Sequence, residues 1–323
     1  MRADHRTRTV ALAGALLVLL SGCSTGASTR TSVSATAATS GAGTADTPSS
    51  GSTGSAAGAG TTDSTSSNAS TSPSSSTPST ATSSPTVNAA QGGVTVAGTL
   101  APGSLRGNVF AIDPGHNGGN GSHPSQINRK VNIGNGSKAC DTTGTQTNAG
   151  YTEAAFTWDV SQRLAAILRA AGATVVLSRS SNTGVGPCIT ERAGFGNRAH
   201  ATAALSIHGD GAPASGYGFH IIEPASIGSN KAIVVPSAAL GAAVRTAFAA
   251  GTGEHYSTYT GGGKAITVRS DLGGLNLSAV PKVFIECGNM RNAADARRMS
   301  SPAWRQQAAQ ALATGLAQFA AAR

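Results

Sequence analysis

The sequence of 323 residues has few aromatic residues, few charged residues and only four cysteines. Aromatic residues make up 4% of the chain, and none lies between residues 24 and 95, which excludes a packed core in that stretch. No segment resembles a nucleic-acid-binding motif, so nucleic acid is not an expected partner. The apolar run over residues 10–20 is too short to be a typical membrane-spanning helix.

The first 22 residues have the organisation of a secretory signal peptide. Three arginines precede the apolar run, and the segment ends in Leu-Ser-Gly-Cys at residues 20–23. This ending resembles the bacterial lipobox, in which the cysteine is diacylated and becomes the new N-terminus. We therefore expect a signal peptide over residues 1–22 and a lipid anchor on Cys23. The expected location is the cell envelope, at the outer face of the cytoplasmic membrane, and secretion without an anchor is the alternative.

Residues 23–95 consist almost entirely of Ser, Thr, Ala and Gly, with scattered prolines. Such a stretch cannot bury enough apolar surface to offset the conformational entropy that ordering would cost. We expect a disordered tether over residues 23–95 and one globular domain over residues 96–323. The chain carries a net charge of +9, which suits anionic partners such as cell-wall polymers or lipid headgroups.

Three cysteines remain in the expected domain, and three thiols allow three different pairings. A disulfide is permitted outside the cytoplasm. Cys140 and Cys188 lie in loops rich in Gly, Asn and Thr, whereas Cys287 ends an apolar strand. We predict a Cys140–Cys188 disulfide and a free, buried Cys287 that behaves as a small hydrophobic residue.

Apolar runs typical of buried strands alternate with helical patterns from residue 109 onwards. The runs lie at residues 109–112, 174–177, 203–207, 217–222 and 283–285, and the helical patterns at about 153–171, 190–201, 237–250 and 301–319. This alternation predicts an α/β fold with three layers and a mostly parallel sheet. Residues 117–150 lack periodicity and are expected to form a long loop that acts as a lid or a substrate wall.

Four side chains stand where these elements begin or end. His116 and His208 follow apolar strands, Glu153 lies in the first turn of a helix, and Glu286 ends the last strand. In open α/β folds the carboxyl ends of the strands carry the ligand site. Two imidazoles and one carboxylate can hold a catalytic zinc ion with a position left for water. The pattern therefore predicts one zinc ion on His116, Glu153 and His208, with Glu286 as the proton carrier.

The same residues also have purely structural interpretations. An acidic residue such as Glu153 stabilises a helix N-terminus through the helix dipole alone. A carboxylate such as Glu286 at the end of a buried strand is also explained by an ion pair, for example with Arg291. His200 and His220 lie inside a predicted helix and a predicted strand, where histidines are usually core or surface residues.

Taken together, the motifs resemble the zinc-dependent N-acetylmuramoyl-L-alanine amidases of the family-3 type. The matching segments are residues 112–116, 152–153, 205–211 and 283–289, with Glu191, Arg192 and Asn197 as a further match. The resemblance spans about residues 109–318 and implies zinc ligands at His116, Glu153 and His208 and a catalytic glutamate at Glu286. It also implies cleavage of the amide between N-acetylmuramic acid and L-alanine in peptidoglycan or muropeptides.

The chain departs from the family pattern in three places. It has Gly119-Asn120 where the family usually has a Gly-Asp pair, the loop over residues 117–150 is long, and the tether takes the place of a wall-binding repeat. Two other functions stay open, a non-catalytic wall-binding lipoprotein with this fold and a zinc peptidase that cuts within the stem peptide. A monomer is expected.

Overall fold

The structure is a computed structural model that describes residues 99–323. The predicted signal peptide, the anchor at Cys23 and the tether lie outside these residues. The strands are β1 (Val109–Pro114), β2 (Lys130–Asn132), β3 (Ser137–Ala139), β4 (Thr174–Leu177), β5 (Ala203–Asp210), β6 (His220–Pro224), β7 (Ile266–Arg269) and β8 (Lys282–Asn289). The helices are α1 (Pro124–Ile127), α2 (Glu153–Ala170), α3 (Ile189–Arg198), α4 (Lys231–Thr252), α5 (Gly273–Asn276), α6 (Ala293–Ser300) and α7 (Pro302–Ala321).

Six strands form one sheet in the order β4-β1-β5-β8-β6-β7. Every neighbouring pair is parallel except β6 with β8, which is antiparallel. The predicted α/β fold with a mostly parallel sheet is therefore confirmed. Because β1, β5 and β8 are parallel neighbours, their carboxyl ends meet at the same edge of the sheet.

Helices cover both faces of this sheet, which gives the three predicted layers. Helices α2 and α4 pack on one face, with α7 against both of them, and α3 and α5 contact the other face. The main core lies under the first group, where Leu205 and Ile285 of the sheet meet Leu164 and Leu312 of the helices. Helix α2 begins as predicted, since the Thr152 hydroxyl accepts a hydrogen bond from Ala155 N and caps its first turn.

Helix α4 is longer than the sequence predicts, because it begins at Lys231 and carries Pro236 inside it. The predicted start at about residue 237 is therefore six residues too late. Val235 beside it is 79% exposed, so this turn lies at the surface, where water can bond the carbonyl that Pro236 leaves unpaired. A window of 18 residues in this helix has a mean hydropathy of 1.6, apolar enough to cross a membrane, but Val244 and Phe248 on the inner face of the helix belong to the core.

The segment over residues 117–150 is more ordered than the predicted loop. It contains α1 and an antiparallel hairpin of β2 and β3. Strands of three residues are too short to show the alternation by which a strand is recognised. A disulfide joins Cys140, just after this hairpin, to Cys188, and Cys287 is buried and free.

Candidate metal centre

Three elements bring the predicted ligands together at the carboxyl edge of the sheet. His116 follows β1, Glu153 is the first residue of α2, and His208 lies near the end of β5. One ligand atom from each lies within 4.8 Å of those of the other two. Glu153 bridges the histidines, with Oε2 3.2 Å from His116 Nε2 and Oε1 2.9 Å from His208 Nδ1.

The backbone around this cluster has little room for larger residues. A Cβ atom at Gly115 would overlap the His208 ring, and one at Gly144 would lie 2.7 Å from His116 Cδ2. His116 itself has a φ of 55°, in the left-handed region of backbone conformation that residues other than glycine seldom adopt. Such a conformation costs on the order of 1–3 kcal/mol and is typical of functional sites. We infer that the imidazole at this position serves a function.

The charges of the cluster suit a cation. Burial disfavours the charged form of Glu153, but His116 and His208 outweigh it and hold the pKa of this carboxyl well below its usual range. Burial likewise lowers the pKa of His116, but Glu153 and Asp141 outweigh it and raise the pKa to about 10. Without an ion, an anionic Glu153 therefore lies beside a protonated His116, and a bound cation would take the place of the proton on Nε2. Two imidazoles and one carboxylate are a donor set that fits a catalytic zinc ion and leaves a fourth position for water.

The strand that leads to His116 is anchored by Asp113. The Asp113 carboxylate is buried and accepts four side-chain hydrogen bonds. The donors are Ser178 Oγ and Ser206 Oγ, both at 2.6 Å, Arg192 Nη1 at 3.0 Å and Lys282 Nζ at 3.1 Å. Burial raises the pKa of Asp113, but Lys282 and Arg192 outweigh it and keep the carboxyl ionised. This network holds the end of β1 in place just ahead of the first ligand.

Sequence reasoning missed the groups that contact the other nitrogen of His116. Nδ1 lies 3.2 Å from Asp141 Oδ1 and 3.1 Å from the Thr142 carbonyl oxygen. Asn120, where the family usually has an acidic residue, is buried and donates to that same carbonyl at 2.8 Å. Asp141 directly follows Cys140 in a polar loop, so no strand or helix pattern marked it.

Glu286 lies beside the cluster, in the same row across the sheet. It pairs with His208 in the register of β5 and β8, and with His220 in that of β6 and β8. Within residues 99–323, Oε2 of Glu286 is buried without a hydrogen-bond partner, and Arg291 donates to the Gln146 carbonyl instead. Burial, with the nearby charges of Glu153 and Asp210, raises the pKa of Glu286 well above its usual range.

His220 had been expected to be an ordinary core or surface residue. It is buried in β6, as a core residue would be. It is also paired with Glu286, which is paired in turn with His208, so the three residues are neighbours across the sheet. Its Nδ1 has no hydrogen-bond partner within residues 99–323. The alternation of side chains along a strand is the signal in the sequence that could have drawn attention to His220. It places residues 220 and 222 on the same face of the sheet.

Two cavities flank the three predicted ligands. One has a volume of about 530 Å³ and lies between His208, Phe284 and the hairpin residues Lys130 and Lys138. The other, of about 540 Å³, is lined by polar groups that include Thr145, Gln146 and Arg291. Both have walls from the segment 117–150; His116 and His208 line the first, and residues adjacent in sequence to His116 and Glu153 line the second.

Comparison with known proteins places these observations in a family. The chain matches the Amidase_3 family, described as N-acetylmuramoyl-L-alanine amidase, over residues 110–318. It is 40% identical over 234 residues to the N-acetylmuramoyl-L-alanine amidase Rv3717 of Mycobacterium tuberculosis, which covers 72% of this chain and 95% of that protein.

Solved structures show the same similarity. The N-acetylmuramyl-L-alanine amidase Ami1 from Mycobacterium smegmatis has a TM-score of 0.64 at 39% identity, covering 68% of this chain and 99% of the other. The apo form of Ami1 from Mycobacterium abscessus has a TM-score of 0.63 at 38% identity, covering 67% of this chain and 99% of the other.

Proposed function

The chain belongs to the N-acetylmuramoyl-L-alanine amidase family, and on that premise we propose that it uses zinc to hydrolyse the amide between N-acetylmuramic acid and L-alanine. The observation that carries the zinc-dependent mechanism is the convergence of His116, Glu153 and His208 beside a partly buried Glu286. The donor types support one Zn²⁺ per domain.

His116, Glu153 and His208 would hold the ion, and Glu286 would move the proton. When bound, zinc polarises the scissile carbonyl and makes its water acidic enough to attack near neutral pH. Oε2 of Glu286 lacks a partner and is therefore available to accept a proton from the attacking water. The same carboxylate would then pass that proton to the leaving nitrogen of L-alanine.

The presence of two cavities near the predicted ligands fits a substrate with a bulky group on each side of the scissile bond. The segment 117–150 contributes walls to each of them, in keeping with the lid or substrate wall expected from its length. Peptidoglycan and soluble muropeptides both have sugar on one side of this bond and peptide on the other. We propose that one side of the cleft takes the sugar and the other the stem peptide.

Similarity to cell-wall amidases supports an exported protein of the envelope. We propose that the mature chain begins at Cys23 with two acyl chains, which suffice for stable membrane attachment. Residues 23–95 would then act as a flexible tether that lets the monomeric domain reach the wall. The intact mass of the native protein tests this, since an unlipidated mass or another start contradicts the anchor.

Product analysis tests the proposed reaction. Zinc-loaded protein is incubated with a defined muropeptide, and the products are identified by mass and by their free amino termini. We expect a peptide that begins with free L-alanine and a sugar that keeps its lactyl group. A cut inside the stem peptide would instead identify a zinc peptidase, and binding without any product would identify a non-catalytic wall-binding protein.

A further inference from the structure

Asp141 stands between the predicted metal ligand His116 and a buried guanidinium. Its side chain is 4% exposed, with Oδ1 3.2 Å from His116 Nδ1 and Oδ2 accepting from Arg192 Nη2 at 2.9 Å. Oδ1 also accepts from the Thr142 amide at 2.8 Å. The carboxylate is therefore oriented from three sides, and one of its oxygens is directed at the ring nitrogen that faces away from Glu153.

Arg192 holds both the side chain and the backbone of this region. Its Nη1 donates to the Pro114 carbonyl at 2.8 Å, and its Nη2 donates to the His116 carbonyl at 2.9 Å as well as to Asp141. The same guanidinium donates to Asp113, which anchors the end of β1. One buried cation thus links the backbone of the first ligand to the carboxylate beside its ring.

The loop that carries Asp141 is tied to the helix that carries Arg192. The disulfide joins Cys140 to Cys188, the residue that precedes α3, and Ile189 N donates to the Cys140 carbonyl at 2.8 Å. Asp141 N also donates to the Ile127 carbonyl at 3.1 Å. Asp141 and Arg192, one turn into α3, therefore belong to a single cross-linked unit.

We propose that Asp141 is a positioning residue for the metal centre, which keeps the proton of His116 on Nδ1 so that Nε2 stays free to bind zinc. The inference rests on the proposed zinc site. A ligating imidazole whose other nitrogen donates to a carboxylate is held in one tautomer and one orientation and is a more basic ligand. The Thr142 carbonyl accepts from the same nitrogen, but Asp141 is the partner that brings a charge and the link to Arg192.

An asparagine at this position separates the proposal from a packing role. Arg192 is charged and can only donate, so the asparagine oxygen would turn towards it. The amide NH₂ would then face His116 Nδ1 and the Thr142 amide, which loses its acceptor. That arrangement favours the tautomer protonated at Nε2, the nitrogen on the side of Glu153, so this nitrogen cannot bind zinc. Asp141→Asn should therefore weaken zinc binding at least as much as Asp141→Ala, although it preserves the shape of the side chain. If Asp141 only filled space, Asp141→Asn would be the milder change.

The experiment measures zinc affinity by competition with a chromogenic chelator on the purified protein and its variants. We expect both Asp141 variants to bind zinc about 10–100-fold more weakly than the parent. The matched control is Asp295→Asn. Asp295 is also buried. It accepts from Gly218 N and Asn289 N, at 2.8 and 2.9 Å, and from Arg298 Nη2 at 2.9 Å, so its replacement should lower stability without changing zinc affinity.

The possible outcomes separate this inference from the proposed function. Parent-like zinc affinity in both Asp141 variants, or in Asp141→Asn alone, overturns the positioning role while the zinc site stands. A parent that binds no zinc overturns the zinc site and this inference with it. An equal loss in Asp295→Asn shows that lower stability alone weakens binding, and also overturns the role. If Asp141→Ala does not fold, Asp141→Asn carries the test.

Discussion

Glu286 lies directly opposite His208 in the parallel pairing of β5 with β8. Residues paired in this way point to the same face of a sheet, so a predicted ligand and the predicted proton carrier are immediate neighbours. His208 contacts Glu153, whereas Oε2 of Glu286 has no partner within residues 99–323. Replacing Glu286 and replacing His208 should therefore have different effects on zinc binding and on amide cleavage.

Glu286→Ala should keep the metal and lose the reaction. Three ligands remain, so we expect about one zinc per domain and a loss of about 10²–10⁴-fold in amide cleavage, the usual contribution of general acid–base help. The melting temperature should not fall, because Oε2 of Glu286 is buried without a hydrogen-bond partner among the described residues, and burying such an atom is costly. Metal analysis, thermal melts and a muropeptide assay measure the three quantities. Full activity in the zinc-loaded variant would contradict the mechanism.

Replacing a predicted ligand should instead release the metal. In His116→Ala, Glu153→Ala and His208→Ala we expect weak zinc binding and little amide cleavage. Added zinc should raise the melting temperature of the parent, because a ligand that binds only the folded state stabilises it, and this rise should disappear in the three variants. Chelation should abolish parental activity, and zinc should restore it. A variant that keeps both the rise and the activity would show that its residue is not a ligand.

The sequence predicted the α/β fold because apolar strands alternate with amphipathic helices, and that pattern is local. It also singled out His116, Glu153 and His208, because each stands next to the end of such an element. Their actual distances depend on the order of the strands, which the local pattern does not specify.

Other parts of the site depend on contacts between distant parts of the chain. Asp141 meets His116 across 25 positions and Arg192 across 51, from a loop without periodicity. His220 was identified as an ordinary strand residue, because its importance comes from β6 lying beside β8. The pairing that places it opposite Glu286 is antiparallel, in a sheet that is otherwise parallel, and no local signal indicates that.

The disulfide between Cys140 and Cys188 should contribute to stability. It closes a loop of 48 residues, which corresponds to roughly 4 kcal/mol in the chain-entropy account. Denaturation of the Cys140→Ser/Cys188→Ser variant measures that loss against the parent. Peptide mapping without reduction should show the two cysteines linked in the parent and in Cys287→Ala. A bridge that contains Cys287 would contradict the pairing.

His220 should make the stability of the domain depend on pH. It is 5% exposed, and burial lowers the pKa of its imidazole to about 4 from an ordinary 6.5, with Asp210 opposing the shift and Arg269 adding to it. Because the folded pKa lies below the unfolded one, the unfolded chain takes up this proton at higher pH than the folded chain does. The contribution of neutral His220 is therefore complete above pH 6.5 and is lost as the pH falls to about 4.

Denaturant unfolding of the zinc-free protein between about pH 4 and pH 7.5 measures this contribution. The free energy of unfolding of the parent, relative to His220→Gln, should fall by up to about 3 kcal/mol across that window, since each pKa unit is worth about 1.4 kcal/mol. His200→Asn is the control, because His200 is exposed and asparagine tolerates its φ of 46°. Titrating groups that do not interact with His220 cancel in the difference. A difference that stays constant with pH, or one that His200→Asn reproduces, would show that His220 does not titrate in this way.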